Sequence, residues 1–405
     1  MMANTLICTL RRSSFLLYHS LTNNVNNYPV AVCSQIVRSL YSKATLGLDG
    51  FVSNKEKTQK QLENISDKFR IKMAEYANED SKNMIFTEDL KNMIHIADSD
   101  DDINLVVKMM KRFNQQNKQL RFGNFIFGTV VMPFFISITN ATLLWRARKC
   151  FKMPELSGFF DQLMSYQILL DLLFENKKYK EMLEVVNIIT NRQIEGSKYP
   201  RNIMVLAFAA CYKMNTPESL EYALKYWQEL KNIGHLPMRR AVTFCAGLAL
   251  NQEQPSVAME ILTLCKNQNY TTVRNMKVAA LTRCGRVEDT IPILKSIISE
   301  DIPEDSVKHT FNRDVLEEVK NAITKLDNPE FTLEFNRITE IFQKQGQISE
   351  TTLDSQLCQE IQKPPVMNSR QQQEYQRPRF NRNKDQRQPN RYNTYHQRPG
   401  LEELV

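Results

Sequence analysis

Recurring helix pairs occupy most of this chain of 405 residues, and they constrain its fold more than any other feature. The clearest pair runs from Asp161 to Val186, where two apolar helical stretches are separated by a polar break at Glu175 to Lys178. Such a hairpin cannot bury both of its apolar faces alone, so it needs similar hairpins beside it. One inward position of each second helix recurs every 32 to 41 residues along the chain. These positions are Val106, Leu144, Met182, Ala223, Ala258 and Thr290. The spacing predicts an all-α fold, an α-solenoid of about six hairpins.

The composition agrees with long helices, because only 11 Gly and 15 Pro punctuate the chain. Beyond Pro303 the apolar pattern changes to longer helices, which predicts a helical cap over the last repeat. After residue 362 the aliphatic residues almost disappear, which predicts a disordered tail. The predicted divisions are a transit peptide (1–45), a polar helical lead-in (46–84), helical repeats (85–302), capping helices (303–362) and a disordered Gln/Asn/Arg-rich tail (363–405).

The N-terminal segment is typical of a mitochondrial transit peptide. Residues 1–45 carry four basic residues and no acid, and Arg11-Arg12 interrupts their apolar residues. A secretory signal, the alternative, would have an unbroken apolar core. The pattern predicts a mitochondrial protein, most simply of the matrix, with cleavage between Arg38 and Gly47. No apolar run approaches the roughly 20 residues that a membrane-spanning helix needs.

Two segments indicate which helical repeat this is. Met164 to Glu184 reads MSYQILLDLLFENKKYKEMLE, which resembles the pentatricopeptide pattern VTYNTLIDGLCKAGRVDEALE nearly position by position. The segment from Thr272 to Ile291 follows the same pattern again, most closely in the turn that begins at Arg283. Val242 to Leu248 is a weaker third match. Phe127 to Met132 and Pro154 to Asn176 extend the likeness to mitochondrial members of the family in animals. The chain therefore resembles the pentatricopeptide repeat family over roughly residues 85–345.

The resemblance implies a function in RNA metabolism. In this family the first helices line one face, and one residue near the start of each reads a base of single-stranded RNA. The implied base-reading candidates are Gln167, Asn275 and Cys245 by pattern, and Thr129 by register alone. Gln, Asn and Thr offer the donors and acceptors that a base edge requires, whereas Cys does not. Polar residues at helix starts also serve in capping and solvation, so this alternative stays open.

The family is linked to maturation and processing of mitochondrial transcripts, and so to the respiratory chain. The resemblance thus implies single-stranded mitochondrial RNA as a partner, with RNA-processing enzymes or the mitoribosome as further partners. We expect binding without catalysis and without a cofactor, because the histidines are isolated and no set of Asp and Glu residues stands out in the sequence.

Charge is concentrated at the two ends of the chain. Residues 46–362 sum to −1, whereas residues 363–400 sum to +7. In the tail, arginines alternate with aromatic rings, a combination that pairs phosphate-binding charge with surfaces on which bases stack. The tail candidates for RNA binding are Arg377, Arg379, Phe380, Arg382, Arg387, Arg391, Tyr392 and Tyr395. A tail that only increases solubility is the alternative.

Two other functions are open to a helical solenoid. A protein–protein scaffold would bind peptides on the same face. A nuclease would need clustered carboxylates or a histidine pair, and the five histidines are isolated in the sequence. The eight cysteines lack a C-x-x-C pair and metal spacing, so no metal site is predicted.

Overall fold

The computed structural model describes residues 39–78, 80–120, 127–137, 148–298 and 309–362. Before the predicted repeats come α1 (Lys43–Leu46), α2 (Leu48–Leu62) and α3 (Ser66–Tyr76). The row of helices then continues with α4 (Thr87–Ile96), α5 (Asp100–Leu120), α6 (Gly128–Ser137), α7 (Leu163–Glu175), α8 (Tyr179–Arg192), α9 (Arg201–Met214), α10 (Pro217–Asn232), α11 (Arg239–Asn251), α12 (Pro255–Thr263), α13 (Thr271–Arg283) and α14 (Thr290–Ile298). Last come β1 (Phe311–Asn312), α15 (Arg313–Leu326), α16 (Pro329–Gln345), β2 (Ile348–Ser349) and α17 (Leu353–Leu357).

Five of the six predicted hairpins are present in the described residues, and the all-α solenoid is confirmed. The consecutive pairs are α4 with α5, α7 with α8, α9 with α10, α11 with α12, and α13 with α14. Five of the predicted inward positions lie on second helices with no exposed surface: Val106, Met182, Ala223, Ala258 and Thr290. Leu144, the remaining one, lies outside the described residues.

Local sequence signals set where the second helices begin. At α10, Thr216 is the N-cap, and its hydroxyl accepts a hydrogen bond from the backbone N–H of Ser219 at 3.2 Å. The Ser219 hydroxyl accepts one in return from the N–H of Thr216 at 3.0 Å. Pro217 occupies the first helical position, where the missing N–H costs nothing. This reciprocal cap fixes the phase of the helix that buries Ala223.

First helices are more deeply buried than second helices. Ten of the 13 residues of α11 are buried, compared with three of the nine residues of α12. Each first helix packs against the next one, in the order α7, α9, α11, α13 and α15. A helix that is apolar on nearly every side must be covered on nearly every side. The first helices therefore have a further cover besides their own hairpin partners.

That cover comes from both ends of the described body. Helices α15 and α16 continue the row as one more hairpin, since they pack on α13 and α14. Residues 346–362, here called the strap, then turn back across the first helices. β2 pairs in parallel with β1, Phe311 opposite Ile348, and Ile361 forms a bridge with Tyr41. The predicted capping segment 303–362 thus includes a returning strap as well as a terminal hairpin.

The predicted tail (363–405) and most of the predicted transit peptide lie outside the described residues. Residues 39–45 of that segment are described, and Leu40 and Tyr41 are buried in the core. Within the described ranges, we find no helix with the length and apolar character required to span a membrane.

Candidate functional site

Gln167 is the base-reading candidate of the best-matched repeat, and it lies in the first half of α7. Its side chain is 4% exposed, and its Oε1 accepts a hydrogen bond of 3.0 Å from Nδ2 of Asn202 on the next first helix. Its Nε2 is buried without a hydrogen-bond partner in the described structure. Gln167 therefore joins α7 to α9 and keeps one donor unused.

Asn275, the candidate on α13, also connects neighbouring hairpins. Its Nδ2 donates to the carbonyl oxygens of Thr271 and Thr310, at 2.9 and 3.0 Å. Its Oδ1 accepts from the backbone N–H of Asn312 at 2.9 Å. The side chain has no exposed surface. In this arrangement its amide is used to fix β1 against α13, and a base could reach it only after β1 moved.

The remaining base-reading candidates are either fully buried or outside the described residues. Cys245 on α11 is fully buried, and burial raises the pKa of its thiol. Thr129 falls in α6, but its side chain lies outside the described residues. The same is true of the tail candidates: Arg377, Arg379, Phe380, Arg382, Arg387, Arg391, Tyr392 and Tyr395.

The first helices instead present a set of polar side chains to the two terminal segments. We call this side of α7, α9, α11, α13 and α15 the covered face. On α7, Oδ1 of Asp171 accepts hydrogen bonds from the backbone N–H groups of Leu40 and Tyr41, at 3.0 and 3.1 Å. Asp171 lies one helical turn after Gln167, so the two side chains share a side of α7. The N-terminal segment is therefore bound beside the best base-reading candidate.

Asp171 is 2% exposed, and this burial disfavours the ionised form of its carboxyl. Burial, together with the nearby Glu175, raises the pKa of its carboxyl from 3.8 to about 7, although the N–H groups of Tyr41 and Leu40 act in the opposite direction. Desolvation outweighs the hydrogen bonds because two neutral donors do not replace the hydration of a carboxylate.

Helices α9 and α11 hold the part of the strap from Asp354 to Leu357. The hydroxyl of Tyr212 and Nζ of Lys213 both donate to Oδ1 of Asp354 at 2.9 Å. Nη1 of Arg240 donates to the carbonyl oxygen of Leu357 at 2.6 Å. These contacts tie the backbone and one carboxylate of the strap to two successive first helices.

Gly247 allows the strap to lie close to α11. A Cβ at this position would be 3.0 Å from Cε2 of Tyr212 and 3.2 Å from Cδ1 of Leu357. The Leu357 side chain is 1% exposed, so it is the apolar anchor of the strap. A larger residue at 247 would push the strap or the tyrosine away.

Sequence reasoning missed Asp171, Tyr212, Lys213 and Arg240 as binding groups. A signal existed for Asp171, because an acid within the apolar run from Ile168 to Phe174 must be buried and therefore needs donors. No comparable signal marks Arg240, whose partner is a backbone carbonyl more than a hundred residues away.

The described surface has few other features that suggest a small-molecule site. A cavity of about 340 Å³ lies between α8 and α10 and is lined by polar residues, including Asn187, Lys225 and Glu229. It is formed by second helices and does not reach the covered face. Among the described residues, no group of three or more His, Cys, Asp or Glu side chains is placed to hold a metal ion.

Comparison with known proteins confirms the predicted resemblance. The chain is 29% identical over 276 residues to pentatricopeptide repeat-containing protein 2, mitochondrial, of Homo sapiens, which covers 68% of this chain and 69% of the human one. It is 29% identical over 275 residues to the protein of that name in Mus musculus, covering 68% and 70% of the two chains. With the Danio rerio protein the identity is 28% over 275 residues, again 68% and 70%. No family model matches the chain.

Proposed function

We propose, from its similarity to mitochondrial pentatricopeptide repeat proteins, that this chain binds single-stranded RNA in the mitochondrion, in the matrix. In this proposal it acts in the maturation and processing of mitochondrial transcripts, and so supports the respiratory chain. It acts by binding, without catalysis: it exposes or shields RNA for a processing enzyme or the mitoribosome.

The observation that carries the proposal is the similarity to relatives whose names state both the repeat and the organelle. The fold supports it, because first helices stacked side by side offer one position per hairpin to a linear ligand. Single-stranded RNA is such a ligand, and its unstacked bases can be addressed one by one.

Among the base-reading candidates, Gln167 is the one that the proposal favours. It has an unused donor and lies one turn from the contact of Asp171 with Leu40 and Tyr41. Release of that segment would uncover this part of α7. Asn275 and Cys245 are fully buried, so base reading at these positions would require larger rearrangements.

The tail is proposed to be a non-specific arm that holds RNA beside the solenoid. Its arginines would neutralise phosphates, and its rings would stack on bases. Deletion of residues 363–405 should then lower RNA affinity and make the slope of log affinity against log salt less steep. An unchanged slope would show that the tail takes no part in binding.

Depletion of the protein followed by sequencing of mitochondrial RNA tests the proposed role in maturation. Accumulation of unprocessed precursors, reversed by the full-length chain, is the expected result. Normal transcripts after full depletion would contradict the proposal.

A second function, as a protein scaffold, is favoured by one specific observation. The covered face already binds polypeptide backbone, through Asp171 to backbone N–H groups and Arg240 to a backbone carbonyl. Purification from mitochondria with and without ribonuclease separates the two functions. Partners that stay bound after RNA is digested would favour the scaffold, and partners that are lost would favour RNA binding.

A further inference from the structure

We propose that the strap is a built-in competitor of RNA for the covered face. The inference rests on the proposed RNA-binding function and adds its regulation: the chain occupies its own binding face until RNA displaces residues 346–362.

The strap carries a net negative charge. It contains three acids, Glu350, Asp354 and Glu360, and no lysine or arginine. The rest of the body is nearly neutral, so this is a local concentration of negative charge on the first helices. An RNA strand would bring negative charge to the same place.

Oxygen atoms of the strap form hydrogen bonds and ion pairs with the cationic groups of the covered face. Both carboxylate oxygens of Asp354 lie within 3.1 Å of Nζ of Lys213 on α9. The carboxylate of Glu350 pairs with the guanidinium of Arg313 on α15. A phosphate group would use the same donors, because ammonium and guanidinium groups bind phosphate as they bind carboxylate.

Arg240 is also bonded to the strap, but its acceptors are neutral carbonyl oxygens. Its Nη1 approaches the carbonyl oxygens of Gln356 and Leu357, at 3.4 and 2.6 Å. A guanidinium bonded only to carbonyls keeps its positive charge uncompensated. A phosphate oxygen would therefore be a better partner for Arg240 than the strap is.

The strap is attached in a way that allows release. Its helix, α17, has five residues, and Leu357 is its one fully buried side chain. Asp354 has 58% of its side chain exposed, so its ion pair is weakened by solvent. Segments with few buried apolar contacts open more readily than the core they cover.

The competition predicts a specific change in affinity. When only a fraction of the molecules has an open face, the apparent affinity for RNA falls by that fraction. Asp354→Asn combined with Leu357→Ala should loosen the strap without changing a cationic group on the first helices. We expect this variant to bind single-stranded oligouridine about tenfold more tightly than the wild type.

The matched control is Glu260→Gln. Glu260 is an exposed acid that pairs with Lys231 between second helices, away from the strap. The Glu260→Gln substitution removes one negative charge, as Asp354→Asn does, and should leave the affinity for oligouridine unchanged. Asp354→Asn alone is the fallback if the double variant does not fold, with a smaller gain expected.

The possible outcomes separate the competition from the proposed function. If the wild type binds oligouridine and the loosened variants bind it no better, the strap is not a competitor, although the RNA function stands. If neither binds any RNA at low salt, the proposed function and this inference both fail.

Hydrogen exchange provides a second readout. The N–H of Ile361 donates to the carbonyl oxygen of Leu40 at 2.8 Å, so its exchange reports on strap attachment. RNA at saturating concentration should accelerate this exchange in the wild type. Unchanged or slower exchange on binding would overturn the competition.

Discussion

Arg240 donates a hydrogen bond of 2.6 Å to the carbonyl oxygen of Leu357, which lies 117 residues later in the chain. Through this contact the first helix of one hairpin holds the strap that follows the last hairpin. Replacing Arg240 by Ala should lower the free energy of unfolding by roughly 1–3 kcal/mol, as expected for a partly buried charged hydrogen bond.

Denaturant unfolding measures this effect, and Arg286→Ala is the control. Arg286 forms an exposed ion pair with Asp289 three residues away, so its loss should cost less than about 0.5 kcal/mol. Equal effects of the two substitutions would show that Arg240 does not hold the strap.

The buried carboxyl of Asp171 should make the stability of the fold depend on pH. The pKa of its carboxyl in the fold is about 7, above the ordinary 3.8, so the folded state favours the protonated form. Its stabilising contribution is complete below about pH 4 and is lost as the pH rises to about 7. Asp171→Asn keeps an oxygen acceptor for Leu40 and Tyr41 but does not ionise.

The wild type should therefore lose stability relative to Asp171→Asn as the pH rises across this window, on the order of 4 kcal/mol. Urea unfolding of both proteins at several pH values measures the difference. Parallel stability curves would mean that Asp171 titrates as it does in the unfolded chain.

Gly128 and Ser165 test the packing between first helices. A Cβ at Gly128 on α6 would lie 1.6 Å from Oγ and 2.9 Å from Cβ of Ser165 on α7. Gly128→Ala should therefore destabilise the fold by roughly 1–3 kcal/mol. Ser165→Gly removes both clashing atoms and should recover part of that loss, whereas Ser165→Ala keeps the clashing Cβ. Additive effects in a double-mutant cycle would contradict this contact.

The burial of Leu40 and Tyr41 narrows the predicted cleavage site of the transit peptide. The sequence places cleavage between Arg38 and Gly47, but removal of these two residues would deprive Asp171 of both N–H donors. We expect the processed protein to begin at or before Leu40. Mass spectrometry of the N-terminal peptide from mitochondria checks this, and a mature protein that starts at Ser42 or later would contradict it.

The sequence was sufficient to predict the row of helices. It did not predict what lies on the covered face, and the reason is physical. Burial of Met182, Ala223 and Ala258 follows from a local period, because each helix must turn its small or apolar side inward. The cover over the first helices depends on segments far apart in sequence. Polar residues such as those of the strap carry no periodic signal that could show where they dock.

The base-reading candidates illustrate the same limit. Gln167 and Asn275 have the residue types that reading a base requires, and the pattern places both near the starts of first helices. Their use as links to Asn202 and Asn312 depends on how neighbouring hairpins pack, which a repeat pattern alone does not describe.

Ultraviolet crosslinking in intact mitochondria, followed by stringent purification and RNA sequencing, tests the central claim that this chain binds RNA directly. The account predicts that discrete mitochondrial transcripts are recovered well above a control protein of equal abundance, and that recovery rises with Asp354→Asn. Recovery no greater than that of the control, with the protein itself efficiently captured, would contradict it.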